Sequence, residues 1–150
     1  MTGIANHKGY LFATDGKELF YFVKFITLKL RGLITKVNST VQVAIWRNDN
    51  APQTADLSQH MFDTILLPRF GIMTSDGQQT AKGKRFWLLR MRQAMKMHRY
   101  VYLYNRMTHD LTNIQSMDDL TSALQTGYGV GKKFRDYRFI ISLTPIVGRD

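Results

Sequence analysis

An α+β (or α/β) fold, with a single mixed sheet of about four to six strands and helices packed on it, is predicted by three features of the chain. Its length of 150 residues suits one domain with a sizeable core. Its composition is globular, 44% hydrophobic with three Pro and 11 Gly. Through the second half, segments with the two-residue period of strands alternate with segments of helical period. No repeat, low-complexity tract or linker divides the chain, so residues 1–150 are read as a single domain.

Tyr10–Ala13 reads as a short strand closed by a turn at Asp15-Gly16. Glu18–Arg31 is ambiguous. Leu19, Phe22, Val23, Ile26 and Leu30 form a helical stripe, yet the Phe/Tyr/Val/Ile content also suits a buried strand. Its length and the following Gly32 favour a helix. Val41–Trp46 is a strand and Asn48–Thr54 a loop. Asp56–Leu66 follows as a helix, with Thr54 as its cap and Pro68 just past its end.

Phe70–Thr74 is a short apolar strand that runs into a Ser75-Asp76-Gly77 turn. Thr80–His98 is the best-defined helix and Tyr100–Asn105 the strand after it. Met117–Leu124 is a helix capped by Ser116, with Asp119 at the partner position of a capping box. Arg138–Leu143 is the last strand.

Charge narrows the function more than any motif does. Lys and Arg number 21 against 11 acids, for a formal charge of +10, and Glu18 is the only glutamate. Residues 82–107 hold eight Lys/Arg and no acid, whereas residues 49–81 and 108–131 are each net acidic. The absence of cysteine excludes disulfides, thiolate zinc sites and cysteine nucleophiles. Met1–Thr14 lacks the apolar run of a secretory signal. The most apolar stretch, Leu19–Leu30, carries Lys24 and Lys29 and is shorter than the roughly 20 residues of a membrane span. The expected location is therefore the cytoplasm, with no membrane partner.

On a helical wheel, Thr80–His98 separates into two faces. Trp87, Met91, Ala94, Met95 and His98 form an apolar stripe expected to face the sheet, with Val101 and Leu103 beneath it. Arg85, Arg92, Lys96 and Arg99 line the other side, with Lys82 nearby. No acid interleaves them to form the i,i+4 pairs that usually steady such a face, and like charges at that spacing repel. An anionic partner accounts for the ridge. The competing reading is a solvated face paired with Asp110, Asp118 or Asp119. Phe86 and Leu89, on or beside the ridge, would be exposed without a partner.

Tyr100, Tyr102 and Tyr104 share one face of their strand. An open sheet could use them to stack unpaired bases. The segment lacks the glycines of the RNA-recognition signature, and the favoured reading is a covered, structural face.

Several motifs fail. Gly77 to Arg85 has five residues between its glycines where a phosphate-binding P-loop has four, and Arg85 stands where Ser or Thr would hold magnesium. Backbone amides at the helix start, beside Lys82 and Lys84, could still hold a phosphate. The succession of strand Phe70–Thr74, a Gln/Gly/Lys turn, a long helix and strand Val101–Tyr104 resembles the cofactor-binding core of GNAT-type acyltransferases. That resemblance, over about residues 70–105, implies coenzyme A at the helix start. Gln79-Thr80-Ala81-Lys82-Gly83-Lys84 misses both glycine positions of the family's turn.

Gly127-Tyr-Gly129-Val-Gly131-Lys132-Lys133 precedes a strand, the wrong order for a dinucleotide fingerprint, and reads as a connector with two lysines. The four histidines show no metal-ligand pair, so no metal is expected. A metal-independent ribonuclease could draw its acid and base from His109 with Asp110 or His60 with Asp56, and its cation from Arg106 or Lys82.

The leading expectation is a small basic protein that binds nucleic acid or another polyanion, without a cofactor. The candidate contacts are Lys82, Lys84, Arg85, Arg92, Lys96, Arg99, Arg106, Lys132 and Lys133. The alternatives are an enzyme, either a coenzyme A-dependent acyltransferase or a toxin-like ribonuclease, and an inhibitor or effector that binds an acidic protein surface.

Overall fold

The computed structural model describes residues 8–14, 16–35, 39–47, 57–75, 81–128 and 136–148. The α+β class holds, but the single sheet does not. Strands divide between a large sheet of order β1-β2-β4-β5-β8-β6-β7 and a separate pair, β3 with β9. They are β1 Lys8–Thr14, β2 Leu19–Leu28, β3 Leu33–Ile34, β4 Ser39–Arg47, β5 Ile72–Thr74, β6 Tyr100–Asn105, β7 Leu111–Asn113, β8 Tyr137–Ser142 and β9 Val147–Gly148.

β1, β2 and β4 form an antiparallel meander, and β5, β8, β6 and β7 a second antiparallel group. Among the described residues two pairs join the groups, Thr40 with Met73 and Val41 with Thr74, and that seam is parallel.

β2 corrects the helix expected over Glu18–Arg31. Its stripe at helical spacing was a coincidence of composition. Tyr21, Val23 and Phe25 actually alternate toward the helical layer, while β1 and β4 pair with both edges of the strand. Partners on both sides outweigh a weak local preference.

The helix expected over Asp56–Leu66 starts at Leu57 among the described residues and runs past Pro68. It comprises α1 Leu57–His60, a π-helical segment Met61–Leu66 and α2 Leu67–Phe70. Pro68 lies within this run, at the second residue of α2 and directly after the π-helical segment. Gly71, at φ 80°, ends the run by donating its N–H to the Leu67 carbonyl. Phe70 is thereby helical, and the strand expected from it begins at Ile72.

α3 Ala81–Lys96 and α4 Met117–Gly127 agree closely with expectation. Ser116 caps α4, its Oγ accepting from the Asp119 N–H at 3.1 Å. The proposed 48–54 loop and 75–77 turn fall largely outside the described residues.

Both faces of the β5-β8-β6 region are covered. On one side Val101, Leu103, Phe139, Ile141 and Met73 pack against Trp87, Met91 and Ala94 of α3, Leu120 and Ala123 of α4, and Phe62, Leu66 and Leu67. Phe62 meets Trp87 edge-on at 5.6 Å between ring centres. On the other side Tyr102, Tyr104, Ile72 and Ile140 pack with Leu30, Leu33 and Ile146, beside the small β3-β9 sheet.

Candidate polyanion-binding surface

α3 presents the wheel as read, with two corrections. Trp87, Met91 and Ala94 are buried, and Met95 is half-buried. His98 is not part of that stripe. It lies exposed beyond the helix end at φ 58°. There the Arg99 N–H reaches the Ala94 carbonyl and the His98 N–H the Met95 carbonyl, at 2.9 and 3.2 Å. This is a Schellman termination with histidine in the left-handed position that glycine usually fills.

Arg99 is the second correction. Rather than joining the ridge, it turns in beside the π-helical segment, 3.6 Å from an Asp63 carboxylate oxygen. Asp63 also accepts a hydrogen bond from Arg90 at 3.1 Å. Arg90 is only 6% exposed, and its guanidinium lies over the Phe86 ring. Burial raises the Asp63 carboxyl above its usual range, with Arg90 and then Arg99 pulling it back. Sequence reading gave Arg90 no role, because its partner lies 27 residues away on another element.

What remains outward is Lys82, Arg85, Arg92 and Lys96, with Leu89 among them at 48% exposure. Their 3-4-3-4 spacing including Leu89 makes one stripe about 21 Å long at 1.5 Å per residue. Among the described residues none of these four cations forms an ion pair. Two of the acids that might have matched them are engaged locally. Asp110 accepts from the Thr108 hydroxyl and Asp119 from the Gln115 N–H. Phe86, expected to be exposed, is half-buried against Phe62 at 5.7 Å.

The remaining predicted contacts scatter. Lys84 is half-buried, its ammonium 5.2 Å from the centre of the Tyr128 ring. Burial raises the Tyr128 phenol, which stays protonated beneath it. Arg106 is exposed in the β6–β7 turn, away from α3 in sequence and element. Lys132 and Lys133 lie outside the described residues, as do Gln79 and Thr80 of the turn compared with the acyltransferases.

Tyr102 and Tyr104 are buried, as favoured. The Tyr102 oxygen accepts the Ile146 N–H, and the Tyr104 hydroxyl donates to the Arg31 carbonyl at 2.6 Å. Burial raises the Tyr104 phenol, against smaller opposing effects of Arg106 and Arg31. His109, one of the ribonuclease candidates, is exposed and its ring lies parallel to Tyr104 at 6.5 Å. The neighbouring cleft of about 270 Å³ is lined, among the described residues, by Asp110, Asp119, Asn105 and Tyr137 with no lysine or arginine. His60 is exposed, and Asp56 lies outside the described residues. Among the described residues no cluster of His, Asp and Glu could hold a metal, and no helix is long and apolar enough to cross a membrane.

Comparison with protein-family models, curated proteins and solved structures finds no significant match.

Proposed function

We propose that the protein binds nucleic acid, or a polyanion of similar charge density, through Lys82, Arg85, Arg92 and Lys96 of α3. The observation that supports this reading is four outward cations in one stripe with no carboxylate paired to them among the described residues. The start of α3 adds weight. Its first turn has no acid and includes Lys82 and Lys84, although the helix dipole there favours negative charge. An anion laid along the stripe relieves both the mutual repulsion and the unfavourable dipole contact.

Salt dependence tests the reading. Four neutralised phosphates give a slope of log affinity on log salt of about −3.6 for duplex DNA and −2.8 for a single strand. Between 50 and 200 mM salt, duplex binding should thus weaken about 150-fold. Reversing Arg85, Arg92 and Lys96 to Glu should abolish binding while the far-ultraviolet circular dichroism stays native. Salt-independent binding, or binding untouched by the triple reversal, counts against it. Leu89, exposed between Arg85 and Arg92, favours an acidic protein surface as the second reading, since a central apolar contact ringed by arginines is typical of protein interfaces.

A further inference from the structure

We propose that the outer face of β1 and β2 is a base-stacking platform for single-stranded nucleic acid, distinct from the α3 ridge. The choice of nucleic acid among polyanions rests on the function proposed above; the platform rests on other residues. Tyr10 and Phe12 are 52% and 56% exposed, unusually open for aromatic side chains within a strand. Each ring contacts Phe22 at 5.4 Å between centres, tilted by 31° for Tyr10 and 50° for Phe12. Three rings thus make one continuous surface.

Strand register produces it. Phe12 lies opposite Phe22, and Tyr10 lies opposite Lys24. The two-residue period sets Phe22 and Lys24 on one side of β2, while Tyr21, Val23 and Phe25 join Leu11 in the core on the other. Among the described residues, the cluster beside the β3-β9 pair reaches β2 only at Leu28.

The occupant follows from the mixture of groups. Flat rings accept the face of any unpaired base, and a cation beside them meets the phosphate that follows. Lys24, half-exposed next to Tyr10 in register, supplies that cation. A second copy of the chain or an apolar peptide is a poorer match, because lysine is depleted from the centres of protein interfaces. A duplex keeps its bases stacked on each other and offers none to the rings.

The test compares a labelled single strand with a duplex of equal length, by fluorescence anisotropy at fixed salt. The wild type is expected to prefer the single strand. The double variant Tyr10→Leu with Phe12→Leu keeps an apolar strand but removes two π faces. It should lose single-strand affinity by about 5- to 150-fold per ring and leave duplex affinity unchanged. Phe12→Trp should retain single-strand binding, which separates stacking from damage to the strand.

Reversing Arg92 and Lys96 to Glu should weaken both nucleic acids together. If only that reversal weakens binding and the leucine pair binds single strands like the wild type, the platform is wrong and the ridge stands. The opposite result leaves the platform and removes the ridge. No binding by the wild type overturns both. A wild-type dimer in sedimentation that Tyr10→Lys dissolves also overturns the platform, in favour of self-association through this face.

Discussion

Removing the Trp87 indole should cost about 4 kcal/mol of stability. Trp87 is 4% exposed, meets Phe62 edge-on, and shares one core with Met91, Ala94, Val101 and Leu103. A side chain of this kind buries about 150–250 Å². At about 25 cal/mol per Å² that area corresponds to about 4–6 kcal/mol. The figure is an upper bound, because the unfolded chain already shelters some of its apolar surface.

Core Trp→Ala replacements cost about 3–5 kcal/mol, against a total domain stability of about 5–15 kcal/mol. The variant should therefore fold with little margin. Urea denaturation followed by far-ultraviolet circular dichroism is the suitable assay, since the substitution removes a fluorescent reporter. With a slope of about 2 kcal/mol per molar urea, the midpoint should fall by about 2 M. Arg92→Ala, on the outward face of the same helix, should stay within about 0.5 kcal/mol of wild type. A loss below about 1 kcal/mol for Trp87→Ala, or a larger loss for Arg92→Ala, would refute the assignment of the two faces of α3.

His98→Gly should stabilise the fold by about 0.5–1 kcal/mol, because the left-handed conformation costs an L-residue more than glycine loses in chain entropy. A lower thermal midpoint would contradict that balance. Ser116→Ala removes the acceptor of the Asp119 N–H and should cost about 1 kcal/mol in the same melt. For Asp63, burial raises the folded pKa above 3.8, so the folded protein holds this proton more tightly than the unfolded chain does. Its contribution to stability should fall as pH rises from 3.8 through the folded value and stay level above it. The difference between wild type and Asp63→Asn across that range should step downward with rising pH, and an upward step would mean that Arg90 and Arg99 outweigh burial.

What could be read from the sequence was local. The α3 stripe, the Ser116 cap and the alternation of β6 and β8 each depend on neighbours within a few residues, and all appear in the structure. Whatever depended on distant partners was hidden. β2 needed β1 and β4 to reveal itself as a strand, and Arg90 needed Asp63. Misreading β2 had a second effect. With residues 18–31 taken as helix, nothing brought Phe22 beside Tyr10 and Phe12, so the only aromatic face open to view in the sequence was Tyr100, Tyr102 and Tyr104, whose favoured reading was structural. Two of those rings are buried, as favoured, beneath segments from Leu30–Leu33 and Ile146 that no periodicity could have placed. The cationic stripe was legible because a wheel sorts charge without help from the rest of the fold, and it failed where the helix had already ended, at His98 and Arg99, and where another element closes over α3, at Phe86 and Arg90.

The position of β8 sets an order on how the chain can assemble. This strand lies between β5 and β6 and follows every other strand of the large sheet in sequence. Its pairing of Ile72 with Ser142 links residues far apart along the chain, whereas β1, β2 and β4 close through short connections. During synthesis the meander can therefore form early, while β5 and β6 wait as two unpaired edges for the strand that joins them. Such edges invite pairing with other chains, and distant contacts form slowly. Until β8 docks, β5 and β6 each keep one edge open to other chains, and its insertion between them ends that exposure.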